Sequence, residues 1–131
     1  MTWFFDSSAI VKLIVNETES AVLRKFKPGL RVASRISRIE VLRNIYRIDP
    51  KKVEKAKEKL NGFNFIEMGE PVFRNAEEIA ITLELKSLDA IQAGSALFVK
   101  DSIEGVISYD KNLNQALAKL GILVLSPGIS K

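Results

Sequence analysis

The 131-residue sequence predicts an α/β fold: a central, mainly parallel sheet of about five strands, sandwiched between two layers of helices. Short apolar runs without charged residues alternate along the chain with segments of helical periodicity, and glycine, proline or helix-capping residues separate them. This alternation favours parallel strands joined by right-handed crossovers, and uncharged strands indicate a sheet buried on both faces. The length suits one domain with a full core, so residues 1–131 are expected to form a single domain.

The first segment ends a strand at an acid and begins a helix within two residues of it. Residues 2–5 (TWFF) predict a buried strand whose aromatic side chains belong to the core, and Asp6 ends it. Ser7 or Ser8 can cap the following helix. Apolar residues then recur at helical spacing: Ala9, Ile10, Leu13 and Ile14. Asp6 therefore lies at the carboxyl end of a strand, the edge of a parallel sheet where ligands bind.

The next part of the chain predicts three helices and one strand. A short helix over residues 19–26 ends at the Lys-Pro-Gly sequence of residues 27–29, and residues 30–33 can form a strand. Ser34 is expected to cap a helix that continues through Ile48. Residues 49–50 (DP) end that helix and start another, because aspartate caps well and proline is favoured at the first helical position. Gly62 closes it.

The remaining part continues the alternation. Residues 63–68 resemble a strand or extended loop, residues 71–85 and 87–99 predict helices, and residues 106–109 predict a strand that Asp110 ends. A last helix stops at Gly121, and residues 122–125 supply the final strand.

The composition limits the chemistry. The chain has no cysteine, so disulfides, zinc–thiolate sites and thiol nucleophiles are excluded. It also has no histidine, which excludes imidazole acid–base catalysis and the Ser–His pairing. Any hydrolysis must therefore use carboxylates, hydroxyls, lysines or hard metal ions. Twenty Lys and Arg against sixteen acids give a net charge of +4, a modest excess that favours a polyanionic partner without requiring one.

Three acids fall at element boundaries. Asp6 and Asp110 each follow an apolar strand and precede a helix, and Asp89 lies in the first turn of a helix. In a parallel sheet these positions can converge at one edge. Helix capping is the alternative explanation for each acid alone, because carboxylates bond free N–H groups and complement the helix dipole. Three such acids in a chain without histidine favour a shared site.

These residues resemble the signatures of the PIN domain, in particular those of the VapC toxins of prokaryotic toxin–antitoxin systems. The matching stretches are residues 5–13 (FDSSAIVKL), 88–91 (LDAI) with 95–97 (SAL), and 108–113 (SYDKNL). A fourth family acid matches Glu40 in residues 37–41 (SRIEV). The resemblance covers nearly the whole chain. It implies a metal-dependent ribonuclease on a five-stranded parallel sheet, usually a homodimer that a small antitoxin holds inactive.

The chain departs from the family at two positions. A histidine often lies three residues after the third acid, where this chain has Gln92, and an arginine often lies where it has Asn112. Neither position carries one of the acidic metal ligands. Both departures are therefore expected to affect substrate contacts more than catalysis.

Residue chemistry supports a metal site independently. Carboxylates around one pocket repel each other unless a cation lies between them, and Mg²⁺ or Mn²⁺ prefers such oxygen ligands. Asp6, Asp89 and Asp110 are the expected ligands. On a helical wheel Glu40 shares a face with Arg43, Asn44 and Arg47, which a solvated face explains as well as a cleft wall; the family match favours metal binding.

Other residues are candidates for supporting roles. Ser8 and Ser108 are expected to hydrogen-bond the carboxylates or a bound water, although Ser8 can also simply cap the first helix. Phosphate contacts are expected from the basic residues near the acids: Lys12, Arg43, Arg47 and Lys111. The lysines of residues 51–59 alternate with acids, which is typical of a solvated helix face.

Other functions fit less well. A haloacid dehalogenase phosphatase needs a second aspartate two residues after the first, where this chain has Ser8, and a receiver domain usually has paired acids after its first strand. A catalytically inactive module of the same fold, binding RNA or a protein partner, is the main alternative; retention of all four acids argues against it. No stretch reaches membrane-spanning length and none resembles a signal peptide, so a cytoplasmic protein is expected.

Overall fold

The computed structural model of the protein describes residues 1–129. This part of the chain forms five strands and seven α-helices in the predicted alternating order. The elements are β1 (Thr2–Phe5), α1 (Ser7–Ile14), α2 (Ser20–Lys25), β2 (Leu30–Ser34), α3 (Ser37–Ile48), α4 (Val53–Leu60), β3 (Asn64–Ile66), α5 (Glu70–Thr82), α6 (Ser87–Phe98), β4 (Gly105–Ile107), α7 (Lys111–Lys119) and β5 (Val124–Leu125). Single 3-10 turns lie at Pro50–Lys52 and Lys100–Ser102.

The five strands form one parallel sheet in the order β3-β2-β1-β4-β5, which confirms the predicted fold class. β1 is central and pairs with β2 on one side and with β4 on the other. The strand order therefore changes direction between β1 and β4. Crevices form at such a switch point beyond the carboxyl ends of the strands. Asp6 follows β1 at this place, and Asp110 comes three residues after the end of β4.

Helices cover both faces of the sheet, and on each face an apolar cluster lies between the helices and the strands. Trp3 and Phe5 point to the side of α1, α3 and α4, and Phe4 points to the side of α5, α6 and α7. All three aromatic side chains are at most 6% exposed, which confirms that they belong to the core. The alternation follows from the period of two along a strand, so the central strand is buried on both faces.

The second strand and third helix differ from the sequence prediction. Ser34 does not cap a helix; it is the last residue of β2, fully buried, and its hydroxyl accepts a hydrogen bond from Ser95 Oγ at 3.1 Å. α3 begins only at Ser37, after a turn. Ile48, the last residue of α3, is 58% exposed.

The lysine-rich segment behaves as a solvated face. α4 buries Ala56 and Leu60 and leaves Lys55, Lys57 and Lys59 exposed. No site residue lies there. Within residues 1–129, no helix has both the length and the apolar character that a membrane crossing requires.

Candidate active site

Asp6 is a buried carboxylate held by three hydrogen bonds. Its Oδ1 accepts from Ser8 Oγ at 2.7 Å and from the Ala9 N–H at 3.0 Å, and its Oδ2 accepts from Ser108 Oγ at 2.7 Å. The side chain is only 3% exposed. Burial raises the pKa of Asp6 from 3.8 to about 6, although the three donors oppose the rise, and the nearby Asp110 adds to it. The loss of hydration therefore outweighs the hydrogen bonds.

The two serines join Asp6 to the loop between β4 and α7. Ser8 Oγ also accepts the Tyr109 N–H at 3.0 Å, and Ser108 Oγ accepts the Asp110 N–H at 3.2 Å. Each hydroxyl thus donates to one oxygen of Asp6 and accepts from the loop that carries Asp110. Both serines therefore hydrogen-bond a carboxylate, as expected from the sequence. This pairing fixes the ends of β1 and β4 relative to each other.

Asp110 caps α7 and retains an unused oxygen. Its Oδ1 accepts the Leu113 N–H at 3.0 Å, and Oδ2 has no hydrogen-bond donor among residues 1–129. Asp6 likewise caps α1. Helix capping therefore explains part of the placement of both acids. It does not explain Asp89, whose carboxylate accepts no hydrogen bond from the part of the chain that the structure describes.

Asp89 is placed in the first turn of α6 and lies within the electrostatic field of two other acids. Partial burial raises its pKa, the charges of Asp110 and Glu40 raise it further, and Lys86 opposes the rise. The charges of Asp6, Asp110, Asp89 and Glu40 are thus linked in a chain of mutual repulsion. A cation between them would relieve this repulsion.

Glu40 projects from the first turn of α3 into a polar cluster. Its Oε1 accepts Ser7 Oγ at 2.7 Å and Gln92 Nε2 at 2.8 Å. Gln92 Nε2 also lies 2.8 Å from Ser37 Oγ. Glu40 is therefore fixed by α1, α3 and α6 together, and its carboxylate is part of the cleft wall rather than a freely solvated face.

Sequence reasoning missed the residues that fix Glu40. The sequence pattern indicates a possible helix cap at Ser7 and assigns no role to Ser37. Gln92 is expected from the sequence to affect substrate contacts; in the structure it is 3% exposed and donates a hydrogen bond to Glu40. The available signal was helical spacing: Gln92 follows Asp89 by three residues on α6, which places both on one face of that helix.

The four acids suit a hard cation that keeps some of its water ligands better than one coordinated by side chains alone. Within residues 1–129, no three Asp or Glu side chains lie close enough together to form a ready-made metal site. Their oxygen donors and mutual repulsion nevertheless fit Mg²⁺ or Mn²⁺, since Mg²⁺ commonly keeps several waters and binds only one or two carboxylates directly. The remaining acids can act through those waters.

Two open cavities adjoin the acids. One, of about 350 Å³, includes Asp89, Asn112, Lys86 and Lys119 in its lining. The second, of about 560 Å³, includes Ser8, Asn44, Arg47 and Tyr109. Asn112, the second departure from the family pattern, is thus exposed beside Asp89, where a substrate can reach it.

The candidate phosphate contacts divide into two groups. Arg43, Arg47 and Lys111 are exposed, and both arginines line cavities beside the acids. Lys12 is less available for a phosphate contact, because its Nζ lies 2.9 Å from Glu19 Oε2 and 4.8 Å from the centre of the Tyr109 ring.

Relatives of known name match nearly the whole chain. Ribonuclease VapC47 of Mycobacterium tuberculosis (strain CDC 1551 / Oshkosh) is 30% identical over 132 residues, covering 95% of this chain and 96% of the relative. Ribonuclease VapC46 of M. tuberculosis (strain ATCC 25618 / H37Rv) is 30% identical over 126 residues, with the same coverage of both chains.

Solved structures share the fold at lower identity. The M. tuberculosis toxin VapC20, described as cleaving the sarcin–ricin loop, superposes with a TM-score of 0.76 at 15% identity, covering 95% of this chain and 99% of that one. A toxin–antitoxin complex from Klebsiella pneumoniae gives 0.74 at 19% identity, covering 95% and 96%. The family model of the PIN domain matches residues 3–118. With that match over most of its length, the chain belongs to the PIN domain family.

Proposed function

We propose that the protein is a Mg²⁺- or Mn²⁺-dependent endoribonuclease that hydrolyses RNA phosphodiester bonds, and that it is the toxin of a type II toxin–antitoxin pair in the cytoplasm. The observation that carries the proposal is the position of Asp6 after β1 and of Asp110 after β4 at the switch point of the sheet. The charge of Asp110 acts on both Asp6 and Asp89, and the charge of Glu40 acts on Asp89. Relatives that cover 95% of the chain are named ribonucleases, which supports the same activity.

Asp6, Asp89, Asp110 and Glu40 would hold the metal, directly or through water. Asp89 and Asp110 are partly exposed, and Asp110 Oδ2 has no donor among residues 1–129, whereas Asp6 is buried and fixed by its serines. A bound ion supplies Lewis acidity, which lowers the pKa of water and offsets charge on a phosphodiester. This chemistry replaces the imidazole base that the chain lacks.

The residues around the acids can bind and orient RNA. Arg43 and Arg47 are exposed along one side of α3, and Lys111 directly follows Asp110. Cationic side chains in these places bind phosphates and position the backbone without reading its sequence. They also offset the repulsion between RNA and four carboxylates. Asn112 lies next to Asp89 and can donate or accept a hydrogen bond with a base.

The proposed protein partner is an antitoxin. Two of the similar structures are a toxin–antitoxin complex and VapBC-1 from nontypeable Haemophilus influenzae, which supports a partner of this kind. We propose that the antitoxin covers the acids with an arginine or lysine, since a cationic side chain can replace the charge of the metal. We also propose a homodimer, supported by large apolar side chains exposed on α3: Ile39, Tyr46 and Ile48.

A cleavage assay on purified protein tests the proposed activity. Single-stranded and looped RNAs are incubated with Mg²⁺, with Mn²⁺ or with excess EDTA, and Asp110→Asn serves as a control for contaminating nucleases. Cleavage that requires the metal and disappears in the variant supports the proposal. Cleavage that persists in EDTA contradicts metal dependence, and RNA binding without cleavage would favour the inactive module.

A further inference from the structure

We propose that Gln92 is a positioning residue of the active site, which orients Glu40 through its side-chain amide. The inference rests on the proposed metal-dependent function, since it concerns how Glu40 is presented to the metal. Gln92 is only 3% exposed and lines none of the cavities beside the acids. Its effect must therefore pass through the residues that it contacts.

The orientation of the amide follows from its neighbours. One end of the Gln92 side chain lies 2.8 Å from Glu40 Oε1, 2.8 Å from Ser37 Oγ and 3.0 Å from Ser7 Oγ. An amide oxygen at 2.8 Å from an ionised carboxylate would be repelled, so the group there is the NH₂. Glutamine thus supplies hydrogen-bond donors to an anion from a position within the core.

The shortest contacts of the cluster identify the donors to Glu40. Gln92 has two N–H groups, and its two shortest contacts are to Glu40 and Ser37. The single proton of Ser7 goes to Glu40, its closest acceptor at 2.7 Å. Ser7 Oγ and Ser37 Oγ also lie within hydrogen-bond distance of each other, at 3.1 Å. Two donors therefore converge on Glu40 Oε1, and Oε2 keeps no protein donor among residues 1–129.

The two ends of the Gln92 amide differ in their contacts. Gln92 Oε1 is buried without a hydrogen-bond partner in the described chain. A buried acceptor without a partner is costly, and a side chain of similar size without polar atoms would avoid that cost. The chain therefore keeps a buried amide whose one satisfied end is directed at Glu40. Residues that orient a metal-binding carboxylate commonly change metal affinity or activity when they are removed.

The primary test compares Gln92→Met with Ser95→Ala. Methionine keeps the length of the side chain and removes the donor. Ser95 lies one turn further along α6, is also fully buried, and bonds Ser34 instead of Glu40, so its variant controls for loss of a buried polar contact. Mn²⁺ affinity is measured by calorimetry and RNA cleavage by kcat. Gln92→Met is expected to weaken Mn²⁺ binding or lower kcat by roughly 10- to 100-fold. Ser95→Ala is expected to change either by no more than about twofold, because it leaves Glu40 untouched.

A double-mutant cycle shows whether the effect passes through Glu40. In the Glu40→Gln background, Gln92→Met should add less than about a further twofold loss, because the carboxylate that it orients is gone. Ser7→Ala, which removes the other donor to the same oxygen, is a milder variant that should act in the same direction if Gln92→Met does not fold.

The outcomes separate this inference from the proposed function. A parent protein that binds no Mn²⁺ and cleaves no RNA would show that the proposed function is wrong. A parent that binds and cleaves, with Gln92→Met and Ser7→Ala both within about twofold of it, would overturn the role of Gln92 alone. Equal losses in Gln92→Met and Ser95→Ala, or the full loss persisting in the Glu40→Gln background, would also overturn it.

Discussion

Ser108 Oγ donates a hydrogen bond to Asp6 Oδ2 at 2.7 Å, joining two residues that are 102 positions apart in the sequence. Ser8 Oγ makes the matching bond to Oδ1. Burial still dominates the electrostatics of the carboxylate, since the pKa of Asp6 rises to about 6 despite these donors. The site therefore holds a carboxylate that is geometrically fixed and electrostatically unsatisfied, which is the state that a cation would relieve.

Asp6 makes the metal-free protein less stable as the pH rises. Its carboxyl has an ordinary pKa of 3.8 when exposed and a pKa of about 6 when folded, so the folded state holds the proton more tightly. The stabilisation is complete below about pH 4 and is lost as the pH rises through about 6, a change of about 3 kcal/mol. Urea unfolding in EDTA at several pH values, for the parent and for Asp6→Asn, measures this change in the free energy of unfolding. If the difference in that free energy between the two proteins does not vary with pH, the raised pKa of Asp6 is contradicted.

Removing the Ser108 hydroxyl should destabilise the protein more at high pH than at low pH. Ser108→Ala leaves Asp6 Oδ2 buried without its donor, and ionised Asp6 needs that donor more than protonated Asp6 does. We expect a loss of about 1–3 kcal/mol at pH 8 and a smaller loss at pH 5. Ser102→Ala, at an exposed serine that precedes β4 whereas Asp110 follows it, is the control and should be neutral at both pH values. Equal losses for Ser108→Ala at the two pH values would argue against the pairing with Asp6.

The arginines of α3 should contribute to RNA binding without contributing to metal binding. Replacing Arg43 and Arg47 together by alanine removes two expected phosphate contacts, so KM should rise and the slope of log affinity against log salt should decrease by about 2. The matched control replaces two exposed lysines on α4, Lys55 and Lys59, and should change neither quantity. Filter binding across a salt series provides the measurement. An unchanged slope in the arginine variant would show that RNA binds to another part of the surface.

Gly94 should not tolerate a side chain, because α5 packs directly against it. A Cβ atom there would lie 2.9 Å from Val72 O and 3.0 Å from Ala76 N, both backbone atoms. We expect Gly94→Ala to destabilise the protein by about 1–3 kcal/mol, as overpacking does. Gly69→Ala is the control, since its Cβ would meet only the Pro71 ring at 3.8 Å. Denaturant midpoints for the two variants decide the matter, and similar midpoints would contradict the packing account.

The sequence predicted most of the fold because its signals are local. The buried strand before Asp6, the proline near the start of α5 and the glycine after α7 each determine an element boundary by backbone chemistry alone. The start of α3 was misplaced because Ser34 is a good capping residue by type. Its hydroxyl is instead used in a contact with Ser95 on α6, 61 positions away, which no local pattern reveals.

The candidate site was predicted in part for the same reason. Asp6, Asp89 and Asp110 lie at the starts of helices. The topology of a parallel sheet brings such positions together beyond the carboxyl ends of the strands. The contacts of Glu40 depend on how α1, α3 and α6 pack, so the sequence left open whether it faced solvent or a cleft. The burial of Gln92 and its contact with Glu40 depend on the same packing of helices. Its departure from the family pattern was visible in the sequence, but its burial was not.

Thermal melts with and without Mg²⁺ test the central claim that these acids form a metal site. The parent is compared with Asp6→Asn, Asp89→Asn and Asp110→Asn, in which asparagine can still cap a helix. Metal-free, each variant should be as stable as the parent or more stable at neutral pH, because one repelling charge has been removed. Mg²⁺ should stabilise the parent by RT ln(1 + [Mg²⁺]/Kd), about 2.7 kcal/mol at a hundredfold excess over Kd, and stabilise the variants much less. Equal shifts with Mg²⁺ in the parent and all three variants would contradict the metal site, and the proposed function with it.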